Sequence, residues 1–294
     1  MGEQLYVATD RTGVQHAGAG DVVWDLAQGG TAPLHATRIE LYDLDGLLDR
    51  LDERIFRAVA EGEVHPGPVP GVHLASAAHL DGELSWSPSA AARFALDCCA
   101  HAFAAERDLA LPRGRSLGDV LTEAGDALEH AEADNAGMFA TVARLSRLRH
   151  LRRTREALES ATLGVAREDE RDALDLLDDP AWTTLAAVGE AVLATLEALR
   201  RALAPRFVRA WDAEEGRLAA ERRAGAPLPT RIIELPTPWG NLAVGGERIP
   251  ESPPAARCAA EAAERVRQAV ADRDGGAEAE RAWQRARLAA TLGG

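Results

Sequence analysis

The sequence predicts a mainly α fold: a helical bundle with a small N-terminal α+β unit and a C-terminal β-hairpin plus helical tail. Three observations carry that expectation. Alanine, leucine, arginine and glutamate dominate the 294 residues, whereas aromatic residues make up only 4%. Such side chains lose little freedom on a helix. From residue 87 onward, helix-start signals precede apolar stripes at helical spacing. Strand-like stretches are confined to the first 44 residues and to a short segment between Thr230 and Gly246.

Three regions follow: an α+β unit over 1–85, a helical bundle over 86–225, and a β-hairpin and helical tail over 226–294 packed on the bundle. In the first, QLYVAT (Gln4 to Thr9) and DVVWDL (Asp21 to Leu26) read as short strands separated by glycine-rich turns. LHATRIELYDL (Leu34 to Leu44) sets Thr37, Ile39 and Leu41 against Arg38 and Glu40, the alternation of a strand. Asp45-Gly46 marks a turn, and a helix is expected to follow to Glu61, with Leu47, Leu48, Leu51, Ile55 and Val59 as its apolar stripe. HPGPVPG (His65 to Gly71) reads as a connector.

In the bundle, Ser87-Pro88 sets an N-cap before a proline at the first helical position, where the missing N–H is not needed. Ser116 starts the next helix, whose face is Leu117, Val120, Leu121, Ala124, Leu128 and Ala131. Asn135-Ala136-Gly137 breaks or kinks the chain before a helix from Met138 to about Ala161. Asp179-Pro180 opens a long helix that buries Trp182, Leu185, Val188, Val192, Leu196, Leu199 and Leu203, and a further helix runs from Pro205 to about Arg223. TRIIELPTPWGNLAVGG (Thr230 to Gly246) reads as a hairpin. Pro254 to Leu292 reads as two alanine-rich helices broken at Asp274-Gly275-Gly276, with a poor apolar face that docks on the body or on a partner.

Charge and composition exclude several chemistries. The 33 cationic side chains other than histidine are all arginine, against 47 carboxylates, for a net charge of −14. Without lysine there is no Schiff-base aldolase, no internal aldimine of pyridoxal phosphate and no P-loop NTPase. GC-rich coding produces such a composition, and so does selection against lysine. The acidic balance repels nucleic acid and anionic membrane. No uninterrupted apolar run of membrane-spanning length occurs, MGEQLYVATD lacks the pattern of a secretory signal, and three cysteines make no disulfide framework. A cytoplasmic protein is expected.

The densest local signal is RLSRLRHLRRTR, Arg144 to Arg155. On a helix, Met138, Val142, Leu145, Leu148 and Leu151 share one side and the arginines fill the rest. Arg144, Arg147, Arg149, Arg152 and Arg153 are the candidate anion- or partner-binding residues. The nine carboxylates between Glu156 and Asp179 can instead neutralise that face within the fold. Nucleic-acid binding would call for further basic patches or interleaved aromatics, which are lacking.

Cys98-Cys99-Ala100-His101 places a thiol and an imidazole on one helix face. Cys98 and His101 are thus the candidate ligands for a transition metal or haem iron, with Cys258, His73 and His79 available to complete a zinc site. The bland alternative buries the cysteine and pairs His101 with Asp97. GRSLG (Gly114 to Gly118) matches the nucleophile elbow of hydrolases, but that motif requires a strand-to-helix turn and a later acid and histidine, and Ser116 is well placed as an N-cap. Asp119, Glu123, Asp126 and His130 form a polar column facing water, without the spacing of a di-iron site. The six tryptophans read as core anchors or one side of a groove.

RFALDCCAHAF, Arg93 to Phe103, resembles the opening helix of an α-helical immunity family found beside bacterial toxins. The likeness spans about a dozen residues, and the alanine- and histidine-rich helices of that family do not follow here. The functional expectation is a soluble non-enzymatic interaction protein, an adaptor, immunity or accessory factor whose partner is another protein, acting through charged helix faces and the helical tail. No cofactor is favoured. The alternative is a helical-bundle enzyme holding haem, a metal or a small substrate between helices.

Overall fold

A computed structural model describes residues 4–18, 20–28, 30, 38–111, 115–132, 187–199, 201–203, 235–237, 240–242 and 254–293. It corrects the mainly α, all-α expectation. Among the described residues half are helical but more than a quarter are strand, and four strands close into an antiparallel barrel. The strands of the N-terminal part are β1 (Leu5–Thr9), β2 (Val14–Ala17), β3 (Gly20–Val23), β4 (Ile39–Tyr42), β5 (Arg54–Pro66) and β6 (Val72–Glu83). The barrel runs in the order β1-β4-β6-β5, with β5 returning to pair with β1, and β2–β3 is a separate hairpin.

The error lies between residues 47 and 83. Helix α1 spans only Leu44–Leu48, capped by Asp43, whose side chain accepts the N–H groups of Asp45 and Gly46. Leu47, Leu48, Leu51 and Ile55 are buried as a helical stripe would require, but Val59 is exposed. From Ile55 the chain is extended: Arg57 out, Ala58 in, Val59 out, a period of two. The pairing strand β6, VHLASAAHLDGE, is rich in alanine and has little strand propensity of its own. Its conformation is set by the ladder on β5, a tertiary effect that outweighs propensity.

HPGPVPG is the turn of this hairpin, closed by Gly67 N–H donating to the Val72 carbonyl at 2.7 Å and Val72 N–H to the Val69 carbonyl at 3.1 Å. Gly71 has φ +78° and lies against Gly46, so that a Cβ on either would collide with the other's backbone. Asp43 N–H donates to the Gly71 carbonyl at 3.0 Å. The turn is thereby fastened to the start of α1.

Successive residues of the barrel serve two cores, as strand alternation dictates. Val7, Leu41 and Ala58 join Val22 and Trp24 in one cluster. Ala8, Tyr42 and Ile55 face the helices in the other. The helices are α2 (Pro88–Ala102), α3 (Leu117–Glu132), α4 (187–199), α5 (Ala255–Asp274) and α6 (Ala277–Thr291). Ser87 caps α2, its side chain accepting Ala90 N–H, and Ser116 Oγ accepts Asp119 N–H at 3.1 Å at the start of α3. Val188, Val192, Leu196, Leu199 and Leu203 are buried as their spacing predicts. α5 ends at the expected break, with Gly275 at φ +71°, the left-handed residue that closes many helices.

Alanines 91, 95 and 102 on α2 and 259, 262, 263 and 269 on α5 are buried in the same cluster; small side chains let helix axes approach closely. The segment near residue 235 forms a two-stranded sheet of β9 (Leu235–Thr237) and β10 (Gly240–Leu242), following the short pair β7 (Ala110–Leu111) and β8 (Arg115–Ser116). No helix among the described residues is long and apolar enough to cross a membrane.

Candidate functional site

α2 carries Cys98 and His101 to the seam between α5 and α6. Cys98 is fully buried, and burial, reinforced by the nearby carboxylates of Glu280 and Asp97, holds its thiol well above the ordinary range. Burial likewise pushes Cys99 up to about 12, against the lowering effect of a hydrogen bond from Thr195. Both remain thiols at neutral pH, whereas metal ligation and nucleophilic attack use the thiolate.

His101 sits a turn further on, at the edge of the seam. Its Nδ1 lies 2.8 Å from Glu280 Oε2, a carboxylate only 4% exposed, and its ring stacks on Trp283 with centroids 3.9 Å apart and planes 7° from parallel. The expected pairing with Asp97 is not made. Asp97 accepts Arg287 instead, with Nε 2.8 Å from Oδ2.

Glu280 opens a polar chain into the protein. Gln284 Nε2 donates to Glu280 Oε1 at 3.0 Å and to the Ala263 carbonyl at 3.1 Å. Arg267 Nη1 donates to Gln284 Oε1 at 2.7 Å, and its Nη2 reaches Asp49 Oδ1 at 2.6 Å. Arg281 then spans Asp45 and Asp49, at 2.8 and 2.9 Å. Glu280, Gln284 and Arg267 do not figure among the residues the sequence singled out, and Trp283 figures only as one of six tryptophans. A signal existed: Glu280, Gln284, Leu288 and Leu292 recur every fourth residue, the spacing of a buried helical stripe, but its first two members are polar and so read as solvent-facing.

The candidate zinc partners are scattered. His73 and His79 lie on β6, not in a loop, beside Asp43 at 3.5 Å and Glu61 at 2.8 Å, and Cys258 is buried on α5. Among the described residues no group of three or more His, Cys, Asp or Glu is placed to hold a metal ion. Arg144, Arg147, Arg149, Arg152 and Arg153 lie outside the described residues. Ser116 serves α3 as its cap. Beside it a shallow groove of about 450 Å³ is lined by Arg107, Asp108, Asp119, Glu123 and Asp126; of the expected polar column, Asp119 and Asp126 are exposed and Glu123 is half-buried.

The most exposed apolar side chains lie elsewhere. Val23, Val59, Val64 and Val69 are the exposed large hydrophobic residues among those described, and three of them belong to the β5–β6 hairpin. Val59, Glu61 and Val64 pair with His79, Ala77 and Ala75. The register shifts between Glu61 and Val64, the mark of a bulge that bends the strand. β1 pairs with β5 only over Arg54–Ala58, and the hairpin projects past it.

Fold and surface together define a small closed β-barrel sharing one core with a set of helices and extending a long hairpin beyond the closure. The chain matches no family model, no curated protein and no solved structure.

Proposed function

We propose that this is a non-enzymatic interaction protein, an adaptor, immunity or accessory factor that meets another protein through the projecting β5–β6 hairpin. The observation that carries this reading is the exposure of three valines on one hairpin, Val59 and Val64 on β5 and Val69 at the turn. An exposed strand bearing β-branched side chains offers both apolar area and a backbone edge. Glu61, Glu63 and Pro66 on the same strand keep that edge from indiscriminate pairing. The tail arginines, by contrast, are engaged within the chain: Arg257 on Asp52, Arg267 on Asp49, Arg273 on Glu106, Arg281 on Asp45 and Arg287 on Asp97. That engagement moves the proposed surface from the tail to the hairpin.

Native mass spectrometry of the protein gently purified from its own cells tests this reading. A bare chain, or one carrying a second polypeptide that is lost from Val59→Glu/Val64→Glu but kept by Glu264→Gln on α5, is expected. A mass excess matching haem, a metal or a small ligand overturns it, as does a polypeptide that stays bound to the double variant.

A further inference from the structure

α5 and α6 are both alanine-rich and both lie on the body, yet they are held by different forces. α5 buries Ala255, Ala256, Cys258, Ala259, Ala262, Ala263 and Val266 in the main core. The residues α6 buries within its own length are Glu280, Gln284 and Leu288, two of three polar. Its other contacts include Trp283 on His101, Arg281 on Asp45 and Asp49, Arg285 Nε 3.6 Å from Asp45, and Arg287 on Asp97, with Leu292 just past its end buried in the main core. The surface that receives α6 is thus an acidic groove, formed by α1 and α2 and floored by Arg267 of α5.

Gly275 and Gly276 alone connect the two helices. Gly275 stands at φ +71° with open space where a Cβ would lie, and Gly276 at φ −76° has a backbone open to any residue.

We propose that this groove is a docking site for an arginine-bearing helix, and that the partner it fits between molecules is α6 of a second copy of this chain, exchanged by opening at Gly275–Gly276. Exchange of an identical element keeps every contact of the closed form and changes only the hinge. Arginine–carboxylate contacts at partly exposed sites are individually weak and are screened by salt, so α6 separates more readily than α5. The left-handed glycine is what turns the chain back on itself. Alanine at both hinge positions favours continuing α5 into α6 as one helix, because alanine is strained at positive φ and favourable inside a helix. A straight helix carries α6 away from its own groove and leaves a second molecule as the only groove in reach.

The test is the mass in solution of Gly275→Ala/Gly276→Ala by analytical ultracentrifugation. A doubled mass is expected, with a circular dichroism helical signal no smaller than that of the unmodified protein. A monomer with that signal retained overturns the proposal. Charge reversal gives an independent check that leaves the hinge intact. Asp45→Arg alters the groove, and Arg281→Asp/Arg285→Asp alters the helix. Each is expected to be monomeric alone. Mixed, they should form a one-to-one dimer, since native α6 then meets a native groove and reversed α6 meets a reversed one. A mixture that stays monomeric overturns the proposal equally.

Discussion

The barrel and the helical layer both bury polar side chains, and they do it by different means. Inside the β unit the network is short-ranged. Gln15 Oε1 accepts Trp24 Nε1–H at 3.0 Å, while its Nε2 donates to the Glu40 carbonyl at 2.7 Å and to Tyr42 Oη at 3.2 Å. Tyr42 Oη–H donates in turn to Glu40 Oε2 at 3.2 Å. Where helices meet the β unit, the bonds are ion pairs between arginines of α5 and α6 and aspartates of the N-terminal half. A satisfied deep network is insensitive to salt and intolerant of losing one member. Ion pairs at a seam tolerate single losses in proportion to their exposure and respond to salt. One chain thus holds a rigid barrel and a helical layer whose attachment can be tuned.

Breaking the barrel network is expected to have the largest effect. Gln15→Leu keeps the volume but strands the indole N–H of Trp24, itself 2% exposed, and removes a donor from Tyr42. A buried donor left without a partner costs about 1–3 kcal/mol, and the Glu40 carbonyl loses a donor as well, so three groups are affected. A loss of about 3 kcal/mol in unfolding free energy by urea titration is expected, unchanged by added salt. A loss that grows or shrinks with salt like that of an ion pair would erase the distinction between the two regions.

Next come the seams, ordered by burial. Asp52 is 7% exposed and accepts Arg257 Nη2 at 2.7 Å; the Asp52 carbonyl also holds Trp86 Nε1–H at 2.9 Å. Arg257→Met strands a buried carboxylate and should cost about 2 kcal/mol. Arg287 and Asp97 are both about a third exposed, so Arg287→Ala should cost under about 1 kcal/mol, a difference that disappears near 1 M NaCl. Equal losses for the two variants would show that burial does not rank these pairs.

The two regions were also unequally legible. The α5–α6 helices, their break at Gly275 and the caps Ser87 and Ser116 follow from local chemistry: a left-handed glycine, a side-chain oxygen before a helix, apolar residues every third or fourth position. β1, β3 and β4 were visible through β-branched residues and alternation. The β5–β6 hairpin was not, because Leu47, Leu48, Leu51 and Ile55 satisfy a helical stripe as well as they satisfy a short helix followed by a strand. Only pairing with β6, up to 29 residues away at Arg54 and Glu83, decides between them. The seam around His101 was half legible. Its α2 members were singled out for metal chemistry, but Glu280 lies 179 residues further along the chain, and no local pattern joins the two.

The smallest effect at neutral pH is none at all, and it bears on Tyr42. Burial pushes this phenol up to about 12, with a hydrogen bond from Gln15 opposing the rise and the charge of Glu40 adding to it. In the unfolded chain the same group titrates near 10. Its folded value is therefore the higher one, so its contribution is fully present below about pH 10 and is lost as pH rises toward about 12. The chain has two tyrosines, and burial, partly offset by Arg57, also raises Tyr6. Tyrosinate absorbance, followed while circular dichroism reports the fold, should stay below the half-ionised level of free tyrosine at pH 10. Stability measured in parallel should begin to fall above about pH 8.5, where the thiols of Cys98 and Cys99 ionise in the unfolded chain but are held neutral in the folded one. It should fall more steeply above about pH 10 as Tyr42 joins them. Two tyrosines titrating together near 10 in a folded chain would mean that water reaches Tyr42, and the barrel network would then be no drier than the ion-pair seams against which it is set.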